Sequence, residues 1–196
     1  MDDCWQGPRR IDGHVVSDPN RFPSGIKALA AYVHSKGLKF GLYTAVGNFT
    51  CASGKFAVDP IGLGCDYNKI PECAVAKRDM DDFVSWDIDH IKVDGCGGFD
   101  QPHMNASYAI IGSYLQEAVK KRGTGPVVYH PSNLAFEYPR QLRELAAIAN
   151  QWRFQTDVQD SWESVAAIIQ AIGAGQPECI PGPLPVNCTG RLRGEN

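Results

Sequence analysis

With 196 residues, 43% of them hydrophobic, and a net charge of −3, the chain is long enough for one domain with a sizeable core. Acids and bases are interspersed, so there is no polybasic patch of the kind that nucleic acid or an anionic membrane needs, and neither is an expected partner. No apolar run approaches the roughly 20 residues of a membrane span, and Met1-Asp2-Asp3 has neither the basic nor the apolar region of a signal peptide.

A first helix is predicted to open after Pro23-Ser24, run through Leu29, Tyr32 and Val33, and end at Lys36-Gly37, a basic last turn followed by a C-cap glycine. The short apolar run from Lys39 to Thr44 predicts a strand, and a cysteine-rich loop follows from Gly47 to Glu72. A helix from Ala76 to Trp86 then leads to a strand from His90 to Asp94. The alternation continues with helix Ser107 to Lys121, strand Pro126 to His130, helix Arg140 to Ala149, strand Gln151 to Thr156 and helix Ser161 to Ile172. Tyr32, Phe40 and Trp86 read as core. Residues 173–196 are an irregular Pro- and Gly-rich tail, which leaves residues 1–172 as one unit.

Strands and helices alternating over short connections imply an α/β fold, a parallel sheet with helices packed outside it. A doubly wound sheet and a (β/α)8 TIM-type barrel both satisfy that pattern. Asp94 and Asp157 stand at the carboxyl ends of different strands, where a barrel assembles its chemistry, and no Gly-x-Gly-x-x-Gly follows a first strand. About four full strands are present, with Met1 to Trp5 as the tail of an earlier one, whereas a barrel needs eight strands and typically about 250 residues. Only part of a barrel is therefore expected. Unpaired strands at both edges leave association open, as a homodimer or through those edges.

Seven cysteines and the sequons at Asn48, Asn105 and Asn187 suggest an oxidising, secretory-pathway setting. Cys65 with Cys73, and Cys179 with Cys188, are candidate local bridges. Reduced, buried cysteines in a cytosolic protein are the alternative. No Cys-x-x-Cys pair supports a zinc site, and His34, His90, His103 and His130 lack metal-ligand spacing. There is no Gly-x-Ser-x-Gly elbow either, so no metal, cofactor or serine nucleophile is expected.

Side chains alternate along a strand, so Lys92 and Asp94 share one face while Val93 takes the other. Arg153 and Asp157, four apart, share a face if their segment is extended. Read alone, Asp94 is equally a salt-bridged structural aspartate at a strand end, and Asp2-Asp3 a solvated terminus. Asp160 reads as a residue of a helix N-terminus rather than a catalyst.

Several stretches together carry a more specific signal. They are Asp2-Asp3-Cys4-Trp5, Arg21 to Leu29, Tyr32 to Lys39, Gly41-Leu42-Tyr43, Lys92-Val93-Asp94-Gly95-Cys96 and Arg153 to Asp157. From Asp2 to about Trp162 the chain resembles the α-galactosidase and α-N-acetylgalactosaminidase family of retaining glycoside hydrolases. The resemblance independently implies the barrel, and it implies Asp94 as nucleophile and Asp157 as general acid/base. A nearby ammonium keeps such a nucleophile ionised, whereas the acid must start protonated, with the two carboxyls roughly 5 to 5.5 Å apart. It further implies that Asp2 and Asp3 accept bonds from galactose hydroxyls and that Trp5 and Tyr43 wall the sugar, with Lys92 and Arg153 beside them. Cys51 and Cys96 match a pair that the relatives join, and the partner matching Cys4 lies upstream in the family.

The chain departs from the α-galactosidase pattern at Tyr129-His130-Pro131-Ser132-Asn133-Leu134-Ala135. Ser132 stands where α-galactosidases carry a glutamate near the sugar 2-hydroxyl, and Ala135 where they carry a bulkier residue. The small pair resembles α-N-acetylgalactosaminidases, which need room for a 2-acetamido group. The resemblance thus implies hydrolysis of terminal α-D-galactosyl groups, with α-N-acetylgalactosaminyl groups as the alternative and a non-catalytic truncated homologue as a second. The implied partners are α-galactoside oligosaccharides, glycolipids or glycoproteins, met in a lysosome, a vacuole or the extracellular space.

Overall fold

A computed structural model describes residues 1–8, 12–46, 49–52, 74–96, 101–132, 147–153 and 157–175. The elements run α1 (Gly25–Ser35), β1 (Gly41–Val46), α2 (Ala74–Ser85), β2 (His90–Gly95), α3 (Gln101–Arg122), β3 (Val128–Pro131) and α4 (Trp162–Gly175). The three strands form one parallel sheet in the order β1-β2-β3. Each predicted element from the first helix to the third strand is present, with ends shifted by a few residues.

The end of α1 follows from Gly37. This residue takes φ +71°, which a side chain would strain, and lets the chain reverse. Its N–H donates to His34 O (2.9 Å) and that of Leu38 to Val33 O (3.3 Å), the paired bonds of a Schellman stop. Ile26 and Ala30 are the buried residues of α1. Tyr32 lies about 200° round from Ala30 at 100° per residue, so it points outward. It is 61% exposed, with the Lys36 ammonium 5.2 Å from the ring centre, which corrects the core assignment made for it. Phe40 is buried and Trp86 packs on the core as expected.

The core lies between the outer face of the sheet and the helices. Leu42, Thr44 and Val46 of β1 and Ile91 and Val93 of β2 point that way, against Ala76, Met80, Phe83 and Val84 of α2. Tyr108, Ile111, Leu115 and Ala118 of α3 extend the layer. Asn105 sits in α3, only partly accessible, so its sequon is helical rather than on a loop. The sequons at Asn48 and Asn187, the candidate Cys65–Cys73 and Cys179–Cys188 bridges, residues 176–196 of the tail and Ala135 lie outside the described residues, while Gly173 to Gly175, expected to be irregular, complete α4.

Beyond β3, the predicted helix is described only at 147–149, of which 147 and 148 are helical, and the predicted strand only at Gln151 to Arg153, which are not in a ladder. The chain nevertheless runs beside β3. Asn150 N and Gln151 N donate to Tyr129 O at 3.0 and 3.3 Å, and Tyr129 N donates to Asn150 Oδ1 at 2.9 Å. At the opposite edge, Trp5 Nε1 (2.7 Å) and Gln6 Nε2 (3.3 Å) donate to Tyr43 O. Among the described residues no helix is long and apolar enough to cross a membrane.

Candidate active site

Parallel register aligns Tyr43 with Lys92 and Lys92 with His130, and Ala45 with Asp94. These residues alternate with the core-facing set, so they occupy the other face of the sheet, toward its carboxyl edge. Lys92 is the hub. Its ammonium lies 3.7 Å from Asp94 Oδ2, 3.5 Å from Asp2 Oδ2 and 5.0 Å from the centre of the Tyr43 ring. Asp94 also accepts its neighbour's amide, Gly95 N to Oδ1 at 2.9 Å, and its side chain is 14% exposed.

The aspartate pair is held differently at its two positions. Asp3 Oδ2 accepts Ala52 N at 2.8 Å, which ties the chain start to the turn after β1. Asp2 is open to water, and its carboxylate points to Lys92. Cys4 takes φ +70°, and Arg21 Nη1 donates to its carbonyl. That left-handed residue breaks the alternation of the segment, so Asp2 and Asp3 face the site while Trp5 turns into the core.

The two expected wall residues are both buried. Trp5 is fully buried, edge-on to Phe83 and Trp86 at 6.0 and 5.8 Å, and presents no face to a sugar. Tyr43 is 2% exposed, lies beneath Lys92, and sends its hydroxyl to Cys51 Sγ at 2.9 Å. Burial, then the Asp94 carboxylate, hold the phenol well above its ordinary pKa, so it stays a neutral donor. It lies beneath Lys92, in the floor of the site face.

Cys51 and Cys96 are joined, with Cα atoms 5.1 Å apart. The bridge ties the turn after β1 to the end of β2, two residues past Asp94. Asp94, Cys51 and Cys96 offer the described residues' grouping of metal-type donors, but both sulfurs are committed to the disulfide, which leaves one carboxylate. Among the described residues Cys4 is in no disulfide.

Arg153 Nη2 and Asp157 Oδ1 form an ion pair at 2.8 Å, with the Asp157 side chain 72% exposed. The acid role calls for a carboxyl withdrawn from water and from cations. Here Asp157 is paired and open. Ser132 is fully buried, and its hydroxyl and amide both donate to Val93 O, at 3.3 and 2.8 Å. It adjoins Asp94 as a small, self-satisfied residue that extends nothing over the carboxylate.

One group was not singled out from sequence. His90 and His130 meet edge-on on the site face, ring centres 5.5 Å apart, His130 level with Lys92 and His90 one same-face step before it. Burial, then His90, Lys92 and Arg153, push His130 down to about 4, while Asp94 opposes the shift. The alternation His90, Lys92, Asp94 was the signal available, but a search for metal-ligand spacing passes over it.

The chain matches, over residues 1–189, the family model described as "Alpha galactosidase A". It is 38% identical to human alpha-N-acetylgalactosaminidase over 174 residues, covering 86% of this chain and 37% of that protein. It is 34% identical to human alpha-galactosidase A over 175 residues, covering 86% of this chain and 36% of that protein. Its fold matches the crystal structure of alpha-galactosidase I from Mortierella vinacea with a TM-score of 0.61 at 28% identity, over 82% of this chain and 36% of the other. The alpha-galactosidase from Saccharomyces cerevisiae with raffinose also gives 0.61, at 27% identity, over 82% and 31%. The chain thus spans a little over a third of the length of these curated relatives. Its parallel sheet and flanking helices are part of a TIM-type (β/α)8 barrel, and on this match the chain belongs to the alpha-galactosidase A family.

Proposed function

We propose that this chain carries the nucleophile side of a retaining glycosidase acting on terminal α-D-galactosyl groups, with Asp94 as nucleophile and Asp157 as general acid/base. The observation that carries the reading is the Lys92 ammonium, held between Asp94 at 3.7 Å and Asp2 at 3.5 Å at the carboxyl edge of the sheet. A cation so placed favours the carboxylate form that attack on an anomeric carbon requires. Asp94 attacks the sugar carbon as Asp157 protonates the leaving oxygen; water activated by Asp157 then releases the sugar from Asp94. For Asp157 to act as acid, substrate hydroxyls must draw Arg153 away from it, since the pair is closed at 2.8 Å without substrate. Asp2 and Asp3 accept sugar hydroxyls, and no cofactor enters.

One observation favours α-N-acetylgalactosaminides as the second reading. Ser132 is small, buried and satisfied by Val93, so nothing from that position crowds a 2-acetamido group beside Asp94. The substrates are α-linked sugar termini of oligosaccharides, glycolipids or glycoproteins, and the Cys51–Cys96 bridge supports an oxidising compartment.

The test is turnover of aryl α-galactoside and aryl α-N-acetylgalactosaminide by the protein and by Asp94→Asn, with folding checked by circular dichroism. Loss of turnover in the variant supports the retaining mechanism, and the ratio of the two rates chooses the sugar. A folded protein inactive on both overturns the reading and leaves a non-catalytic homologue.

A further inference from the structure

β3 lies between β2 and the segment from Asn150 to Arg153, and His130 is its residue on the site face beside Lys92. Lys92 on one side is engaged with Asp94 at 3.7 Å, and Arg153 on the other with Asp157 at 2.8 Å. His130 therefore stands between the two cation–carboxylate pairs. Below it, the His90 ring is 5.5 Å away and bonds Gln151 across the same gap. The titratable and charged groups facing it are His90, Lys92 and Asp94 from β2 and Arg153 from beyond β3, with Tyr43 of β1 on the far side of Lys92.

We propose that His130 is a positioning residue that sets the acidic limit of this site: uncharged, it lets Lys92 and Arg153 each keep its own carboxylate, and protonated, it intrudes as a third cation between them. The consequence is local. A charged imidazole competes with Lys92 for Asp94 and repels both neighbouring cations, which disturbs the nucleophile and the acid/base together. Burial and the flanking charges hold the ring neutral until pH falls to about 4, well below its ordinary 6.5. The proposal rests on Asp94 and Asp157 acting as assigned above.

The experiment is the pH dependence of kcat/KM on the preferred aryl glycoside, for the protein and His130→Ser, with NMR titration of the His130 imidazole in the unmodified protein. Expected are a His130 midpoint near 4 and an acid limb that moves to lower pH in the variant. At pH 3.5 the variant should keep about fourfold more of its own plateau activity, the ratio given by one proton titrating near 4. An unmoved limb, with His130 titrating near 4, overturns the proposal and leaves the catalytic assignment standing. A His130 midpoint near its ordinary value overturns it without recourse to activity. Full turnover in Asp94→Asn overturns the underlying assignment, and this proposal with it. Should His130→Ser fail to fold, His130→Asn takes its place and the NMR titration still decides.

Discussion

Replacing Trp5 separates a core role from a sugar-facing one. The indole is fully buried, packs edge-on against Phe83 and Trp86, and donates to Tyr43 O at 2.7 Å. Trp5→Ala removes both ring contacts and leaves a cavity, a change that costs about 3–5 kcal/mol. Trp5→Phe keeps an aromatic ring in place and loses the N–H. Because Gln6 Nε2 also reaches Tyr43 O, at 3.3 Å, the carbonyl is not orphaned, and the lost bond costs about 1 kcal/mol. With the smaller ring included, Trp5→Phe should lower stability by about 2 kcal/mol. Urea unfolding followed by circular dichroism measures both steps, and KM for the aryl glycoside is measured in parallel. The expected result is graded loss of stability with KM unchanged in Trp5→Phe. A raised KM with unchanged unfolding would place the indole against substrate and refute the core assignment.

Four further outcomes are expected. Lys92→Met removes the ammonium shared by Asp94 and Asp2, and should lower kcat/KM by about 100-fold or more, read by steady-state kinetics. Reducing the Cys51–Cys96 bridge, which spans 45 residues, should cost up to about 4 kcal/mol, visible as a lowered urea midpoint with and without reductant. For Asp89, burial raises the carboxyl pKa, but bonds from Lys39, the Phe40 amide and His34 outweigh it and the net shift is downward. A depressed carboxyl stabilises the fold above its unfolded value, about 3.9, and that contribution is lost as pH falls through the lower folded value. Asp89→Asn should therefore destabilise near neutrality and flatten acid unfolding below about pH 4, compared by urea midpoints at successive pH values. Ser132→Glu should favour aryl α-galactoside over the 2-acetamido substrate, because a longer side chain beside Asp94 fills the space that the acetamido group needs; an unchanged rate ratio would remove Ser132 from specificity.

The alternation of polar and apolar residues made the site strand readable. His90, Lys92 and Asp94 can only share a face, and Ile91 and Val93 can only face the helices, so alternation alone puts Asp94 on the face opposite the core. Lys36-Gly37 likewise named the end of α1, because glycine alone accepts that φ cheaply. Trp5 was not readable, since its burial depends on Cys4 adopting positive φ, a backbone state that cysteine does not advertise. Tyr43 shares its face with Lys92 as alternation requires, yet its exposure depends on a lysine from the next strand lying over it. Tyr32 is exposed for a simpler reason: it sits beside Val33 in sequence but far from Ala30 around the helix. His130 needed the register of β3 against β2, which no single segment contains.

The bonds at the margins of the three-stranded sheet also bear on edge pairing. Exposed strand edges act as templates, since any extended peptide can dock on their free N–H and C=O groups and seed cross-β growth. On β3, Tyr129 has both backbone groups engaged by Asn150 and Gln151, and the Asn150 side chain takes the acceptor role of a neighbouring strand. On β1, the Tyr43 carbonyl is taken by Trp5 and Gln6. At Tyr129 backbone amides and one side chain, and at Tyr43 two side chains, already occupy a ladder position, so a peptide docking on either margin would meet an interrupted ladder there.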